Sequence, residues 1–367
     1  MEDEIYNFIK VCFLANISLC YCFYISSRIP KGILRLISLL PILYLFILLP
    51  LNLHSFHLGG PTTFFLVWLA TFKLLLFSFD HGPLSSPPPL TLFQFISLAI
   101  LPIKIKQNPP QKSPPNQNPD HIIPPNPTKS ENPSYPIGKK SILFAVKALL
   151  LALVVGSYDY RQHLHPYVIL VLYCCHLYLG LEILLPLFAT PARAVFGFEL
   201  EPHSNEPYLS TSLQDFWGCR WNLMVTNILR PTTYYPVRNI FTRVVGSRLA
   251  RFLAMMSTFA VSGLMHEVIY YYLARVSPTW EVTWFFVLHG VSVAIEVEVK
   301  KAVADRCRLK PVISGPLTLL FLAVTANWLF FPQLLRNGVD VKAINEYPVM
   351  VDFVKSHLPL NFYWWKS

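Results

Sequence analysis

The chain has 367 residues, of which 53% are hydrophobic and only 14% charged, against about a quarter charged in an ordinary soluble domain. Its mean hydropathy is +0.44, and the apolar residues fall in long runs, which excludes a soluble globular class and makes lipid the solvent. The formal net charge is +10. Lys and Arg, however, sit in short loops between apolar runs, where they set topology and meet anionic headgroups, and no basic stripe on a polar fold speaks for nucleic acid.

The chain begins Met1, Glu2, Asp3, Glu4, without the basic start of a cleaved signal peptide, so the first apolar run is expected to stay as an anchor. That run covers Ile5 to Ser27, the second Ile33 to Leu53 and the third Thr62 to Phe79. Each is about the length that crosses a hydrocarbon core. Leu90 to Ile103 is too short for that and reads as re-entrant or interfacial. Residues 104–140 are rich in Pro, Asn, Gln, Ser and Lys and read as a flexible loop outside the bilayer, because Pro removes donors and blocks helices.

Spans resume at Ile142 to Val155 and Tyr167 to Phe188. A polar stretch follows, Pro191 to Arg248, and then Phe252 to Leu273, Trp280 to Val299 and Val312 to Phe331. The tail ends in Tyr363, Trp364 and Trp365, residues suited to a membrane interface. The predicted fold is all-α and polytopic, with about eight transmembrane helices in one membrane-embedded domain over residues 1–367. The 104–140 loop lies within it, and 191–273 is its catalytic region. Basic loops lie after the first span, after the short segment, in the central polar stretch and before the last span. The positive-inside rule puts them in the cytosol and the acidic N-terminus in the lumen. The scheme closes only if Leu90 to Ile103 does not cross.

Polar groups inside a span are costly and usually serve a purpose. His266 and Glu267 lie well inside the apolar run Phe252 to Leu273. A neutral imidazole is cheaper to bury than a carboxylate and is the natural general base for a hydroxyl. Ser262 and Gly263 lie one turn before His266, and Tyr270 one turn after it, on the same face. The competing reading is a packing histidine bonded across the bundle. His289, followed by Gly290 in another apolar run, reads more readily as core than as site.

The segment Ser212 to Asn222, SLQDFWGCRWN, mixes aromatic with polar groups as an amphipathic segment at the membrane does. Asp215, Trp217, Arg220, Trp221 and Asn222 are its candidate site residues, and an interfacial helix without catalytic task is the alternative. The Arg residues from Arg220 to Arg251 suit an anionic ligand or, equally, a topology-setting loop. Five of seven Cys lie in apolar runs, and the His pairs His54/His57 and His163/His165 lack companion ligands, so no metal site is expected. The nucleophile elbow, the P-loop and the soluble acyltransferase His-x-x-x-Asp pattern are absent from the sequence.

SLQDFWGCRWN followed by VSGLMHE at Val261 to Glu267 resembles the plant wax synthase branch of the membrane-bound O-acyltransferases. SSRIPKG at Ser26 to Gly32, FKLLLFSFDHGPLS at Phe72 to Ser85 and LPIKIK at Leu101 to Lys106 look like that branch too, so the likeness spans nearly the whole chain apart from the Pro-rich loop. The resemblance implies helices around an internal tunnel, acyl-coenzyme A as co-substrate, no cofactor, a lipophilic alcohol as acceptor and a place in the endoplasmic reticulum membrane. It makes His266 the catalytic base and Asn222 its polar partner; Asp215, Trp217, Arg220, Trp221, Ser262, Glu267 and His289, singled out by position and side-chain chemistry, stand as lesser candidates for substrate binding. Where the family often has two Arg before WN, this chain has Cys219 and Arg220, which puts donor affinity in question. A fatty alcohol giving a wax ester, a sterol and a diacylglycerol remain open as acceptors, as does acetyl-coenzyme A as donor. A multi-span transporter is the rival of another class, although no paired repeat is visible.

Overall fold

The computed structural model describes residues 2–26, 28–85, 88–103, 137–196, 201–303 and 309–357. Most of the Pro-rich loop and the aromatic tail, Tyr363 to Trp365, lie outside the described residues, as do Arg306 and Arg308. Among the described residues the chain is helical, with no strand. Eight helices are long and apolar enough to cross a membrane, the number the sequence predicts.

The first three spans are α1 (Glu2–Ser26), α2 (Ile33–Leu48) and α3 (Phe56–Ser78). They pack a shared core that includes Leu19, Phe46, Leu74 and Phe77. Next comes α4 (Leu92–Ile100), opened by a capping box between Thr91 and Gln94. Nine residues make about 14 Å of helix, too little to cross. α4 does not lie on the surface either, because Phe95, Leu98 and Ala99 are buried in the core of the first spans. Its C-terminus is held from α3, where the fully buried Lys73 donates to the carbonyl oxygens of Leu98 (2.6 Å) and Leu101 (2.7 Å). An ammonium there satisfies orphan carbonyls and meets the negative end of the helix dipole.

α5 (Ile137–Ser157) and α6 (Pro166–Phe196) form an antiparallel pair. Two charges absent from the sequence reading join them inside the bundle: Lys147 on α5 and Glu182 on α6, 2.5 Å apart. The central polar stretch departs from the expected surface loop. Its beginning continues α6, its end starts α8, and between them α7 (Leu223–Leu229) buries Met224, Val225, Ile228 and Leu229 among the spans. α8 (Tyr235–Ala274) and α9 (Glu281–Val303) cross closely. A Cβ on Gly263 would stand 2.9 Å from the Thr283 Cα, so only glycine permits this approach. The last span, α10 (Pro311–Phe330), is followed by α11 (Pro332–Arg336) and α12 (Val339–His357).

Polar contacts sort the loops as eight alternating crossings require. On one face Lys31 pairs with Asp80 at 3.0 Å, and Glu296 accepts from the Leu213 N–H at 2.8 Å while Lys300 reaches Ser212. On the other face Glu4 accepts from the His54 N–H at 2.9 Å, Arg275 donates to the Leu53 carbonyl at 2.9 Å, and Arg161 pairs with Asp340 at 3.0 Å. There α12 is bolted to the start of α3. The Glu346 carboxylate accepts from the N–H groups of Phe56 (2.6 Å) and His57 (3.0 Å), the Ser55 hydroxyl (2.8 Å) and the His57 ring (2.9 Å).

Candidate active site

His266 lies in the crossing part of α8, about two turns before its end at Ala274. Its Nδ1 is 2.7 Å from the carbonyl oxygen of Ser262, one turn back. A carbonyl only accepts, so Nδ1 carries the proton and Nε2 is left as the acceptor nitrogen. Three rings wall the imidazole: Trp68 from α3, Phe286 from α9 and Phe330 from α10, at centroid distances of 5.2, 4.4 and 5.7 Å. Within this enclosure the His266 side chain is half-buried.

Two of those walls stand on widened turns. Trp68 belongs to a π-helical stretch, Phe64–Ala70, and Phe330 to another, Ala326–Phe330. Such turns recur at functional sites because they re-aim side chains. Tyr270, buried one turn beyond His266, donates its hydroxyl to the Phe330 carbonyl at 2.8 Å and so fixes the second wall. Ser262 contributes its backbone oxygen. Glu267 turns away, accepting from the backbone N–H and hydroxyl of Thr283 at 3.3 Å each and joining α8 to α9. His289 is fully buried, with Nδ1 on the Phe285 carbonyl at 2.8 Å and Nε2 3.3 Å from the Thr325 hydroxyl. Both its nitrogens are engaged in packing the bundle.

The Ser212 to Asn222 segment folds as a short turn, Leu213–Asp215, and a π-helical turn, Phe216–Arg220. Ser212 caps it, accepting from the Asp215 N–H at 3.1 Å. Asp215 and Arg220 bind each other at 2.7 Å, and Arg220 also donates to the Asn205 carbonyl at 3.2 Å. Arg220 thus ties the segment to its neighbour. Trp217 enters the aromatic core 5.6 Å from Phe286, the ring that touches His266, and Trp221 stacks on Phe216 at 5.3 Å.

Asn222 starts α7 with left-handed backbone, φ 37°, which Asn tolerates better than most residues. Its Oδ1 accepts from the Val225 N–H at 3.3 Å, so any outward donation falls to Nδ2. Its side chain borders a small cavity of about 20 Å3 shared with Tyr178, Glu182, His203, Ser204 and Trp221. Glu182 also accepts from the Ser204 hydroxyl. Burial lowers the His203 imidazole below its ordinary pKa, with Glu182 opposing. His266 does not line this cavity. The two are joined through α7, whose Val225 and Leu229 pack with Trp68 of the His266 enclosure and with Met265.

Sequence reasoning missed Trp68, Phe286 and Phe330, because an aromatic residue in an apolar run carries no positional signal. Lys147 and Glu182 were findable by the cost of charge at membrane depth. Among the described residues no group of three or more His, Cys, Asp or Glu is placed to hold a metal ion.

Residues 200–288, which contain both Asn222 and His266, match the model of the membrane bound O-acyl transferase family. The chain is 50% identical to the long-chain-alcohol O-fatty-acyltransferase of Simmondsia chinensis, over 98% of each protein. It is 46% identical to the probable long-chain-alcohol O-fatty-acyltransferase 1 of Arabidopsis thaliana, over 97% of this chain and 98% of that one. The acyl-CoA–sterol O-acyltransferase 1 of the same plant is 43% identical, over 95% and 96%. With eight apolar helices, an imidazole enclosed among them and similarity running end to end, the chain belongs to the membrane-bound O-acyltransferase family.

Proposed function

We propose that this protein transfers a fatty acyl group from acyl-coenzyme A to the hydroxyl of a long-chain alcohol, making a wax ester in the endoplasmic reticulum membrane. The observation that carries the reading is the Nδ1 bond of His266 to the Ser262 carbonyl. It fixes the tautomer whose Nε2 accepts a proton, within an apolar enclosure suited to a lipid alcohol. The acceptor follows the printed names of the relatives at 50% and 46% identity.

The chemistry then runs on this chain's residues. His266 Nε2 takes the proton of the alcohol while its oxygen attacks the thioester carbonyl carbon. The tetrahedral adduct collapses, the carbon–sulfur bond breaks, and the imidazolium returns its proton to the leaving thiolate. Two donors are proposed for the oxyanion: the Asn222 amide through Nδ2, provided the thioester extends from His266 past α7 to the separate cavity that Asn222 borders, and the indole N–H of Trp68. The latter is buried beside His266 and has no hydrogen-bond partner among the described residues. Preorganised donors in a water-poor site are the strongest contributors to acyl transfer.

The sterol-named relative favours a second acceptor class. Expression in yeast lacking neutral-lipid acyltransferases, followed by mass spectrometry of new esters, separates the two. The long-chain-alcohol reading expects wax esters that require both acyl-coenzyme A and fatty alcohol. Steryl ester alone replaces the acceptor, and ester formation retained by His266→Ala removes the mechanism.

A further inference from the structure

The helix that carries His266 is broken near its start. Gly246 has φ 80° and ψ 165°, outside any helical geometry, and divides α8 into residues 235–245 and 247–274. The second part alone is about 42 Å long at 1.5 Å per residue, enough to cross a hydrocarbon core of about 30 Å. The first part therefore cannot belong to the same crossing, and the break leaves it free to take its own direction.

This arm is amphipathic. Val237, Ile240, Phe241, Val244 and Val245 recur at the spacing of a single helical stripe, opposite Arg238, Asn239, Thr242 and Arg243. The protein does not cover the stripe: Ile240 is 64% and Val244 75% exposed. The charge is one-sided too. Between Asp215 and Glu267 the chain has no acidic residue and six arginines. Arg220 is held by Asp215 and Arg248 by Glu298, whereas Arg238 and Arg243 on the arm make no ion pair among the described residues.

We propose that residues 235–245 lie in the plane of the membrane surface, with the apolar stripe sunk to the headgroup–acyl boundary and Arg238 and Arg243 on anionic phospholipid headgroups. Three observations select lipid over a protein partner. The arm runs directly into a span and so starts at the bilayer surface. Its stripe, four aliphatic side chains and Phe241, backs onto a polar face that carries two arginines, as in interfacial helices. Its unpaired charges are all of the sign that anionic lipid attracts.

The test uses the full chain in nanodiscs, with a dansyl-bearing amino acid placed by stop-codon suppression at position 244 and, separately, at position 242. Discs contain phosphatidylcholine alone or with phosphatidylserine, plus lipid carrying a nitroxide quencher near the headgroup or near the chain end. The expected result is blue-shifted emission at 244, quenched chiefly by the shallow nitroxide, with little quenching at 242. Phosphatidylserine should deepen the quenching, and Arg238→Gln with Arg243→Gln should cancel that gain, each Arg shifting the docking equilibrium roughly fivefold. Water-like emission at 244 in every disc, or quenching mainly by the deep nitroxide, overturns the proposal. So does reversal of the phosphatidylserine effect by added free coenzyme A, which would make the arm a cofactor-phosphate site, or blue-shifted emission at 244 that neither nitroxide quenches, which would mean a protein surface covers the stripe.

Discussion

His266 Nδ1 and the Ser262 carbonyl oxygen lie 2.7 Å apart, and this bond orients the ring and assigns its proton. Replacing His266 with Gln keeps a polar group of similar reach but removes a titratable base. Ester formation should fall about 10²- to 10⁴-fold, the usual worth of a general base. Thermal unfolding in detergent should move little. A variant that loses stability while the surviving fraction turns over normally would make the histidine a packing residue.

Asn222 holds two structural duties, a left-handed backbone and the cap of α7, besides its proposed donation. Asp keeps both duties and lacks the Nδ2 donor. Asn222→Asp should therefore keep the fold and lose turnover. Asn222→Ala should lose both, with the lost cap costing about 1 kcal/mol. Equal stability loss in the two variants, with turnover kept in Asp, counts against the donor role.

The Trp68 indole N–H makes no bond within the described protein, so Trp68→Phe removes no internal hydrogen bond. Trp68 is fully buried, so the smaller ring leaves a void that should cost about 1–2 kcal/mol in thermal stability. If the N–H serves the oxyanion, kcat falls by about tenfold or more at little cost in KM. Unchanged kcat assigns the ring to packing alone.

A methyl group at position 263 meets the backbone of Thr283 at 2.9 Å, where no flexible side chain can yield. Gly263→Ala should push α8 from α9 and disturb the Glu267–Thr283 bonds, destabilising by about 1–3 kcal/mol. A lowered midpoint in a thermal scan checks this, and an unchanged midpoint would mean that the crossing is looser than described.

Glu346 supplies a pH dependence. Burial alone would raise its carboxyl, but hydrogen bonds from the His57 ring, the His57 and Phe56 N–H groups and the Ser55 hydroxyl outweigh it, and its pKa falls from 4.5 to about 2. A depressed carboxylate contributes stability that is full above the unfolded value and lost as pH falls through the folded one. The window is therefore pH 4.5 down to about 2, with about 3 kcal/mol at stake. Glu346→Gln should unfold more readily at neutral pH and show a flatter acid limb. An acid limb identical to the parent's would mean that this carboxylate is not the group responsible.

The span count, the short fourth helix and the presence of an imidazole inside a span were legible because each rests on local chain properties. Apolar length decides what crosses a bilayer, and charge or imidazole within such a run is costly enough to mark itself. The roles of Glu267 and Arg220 were not legible. A carboxylate beside His266 reads as part of the site until the crossing of α9 shows it bound to Thr283, and an arginine among tryptophans reads as a ligand group until Asp215 claims it.

Lys73 shows the same limit. In sequence it is one charge in an apolar run; only the arrival of α4 gives its ammonium two carbonyls to hold. By itself the sequence determined that lipid is this protein's solvent, which helices cross it and that a histidine stands at membrane depth, because each follows from transfer free energy along one segment. The tertiary structure alone decided which rings wall that histidine, which nitrogen keeps the proton and which charges neutralise one another. Those depend on the meeting of residues tens to hundreds of positions apart, and hydropathy carries no record of it.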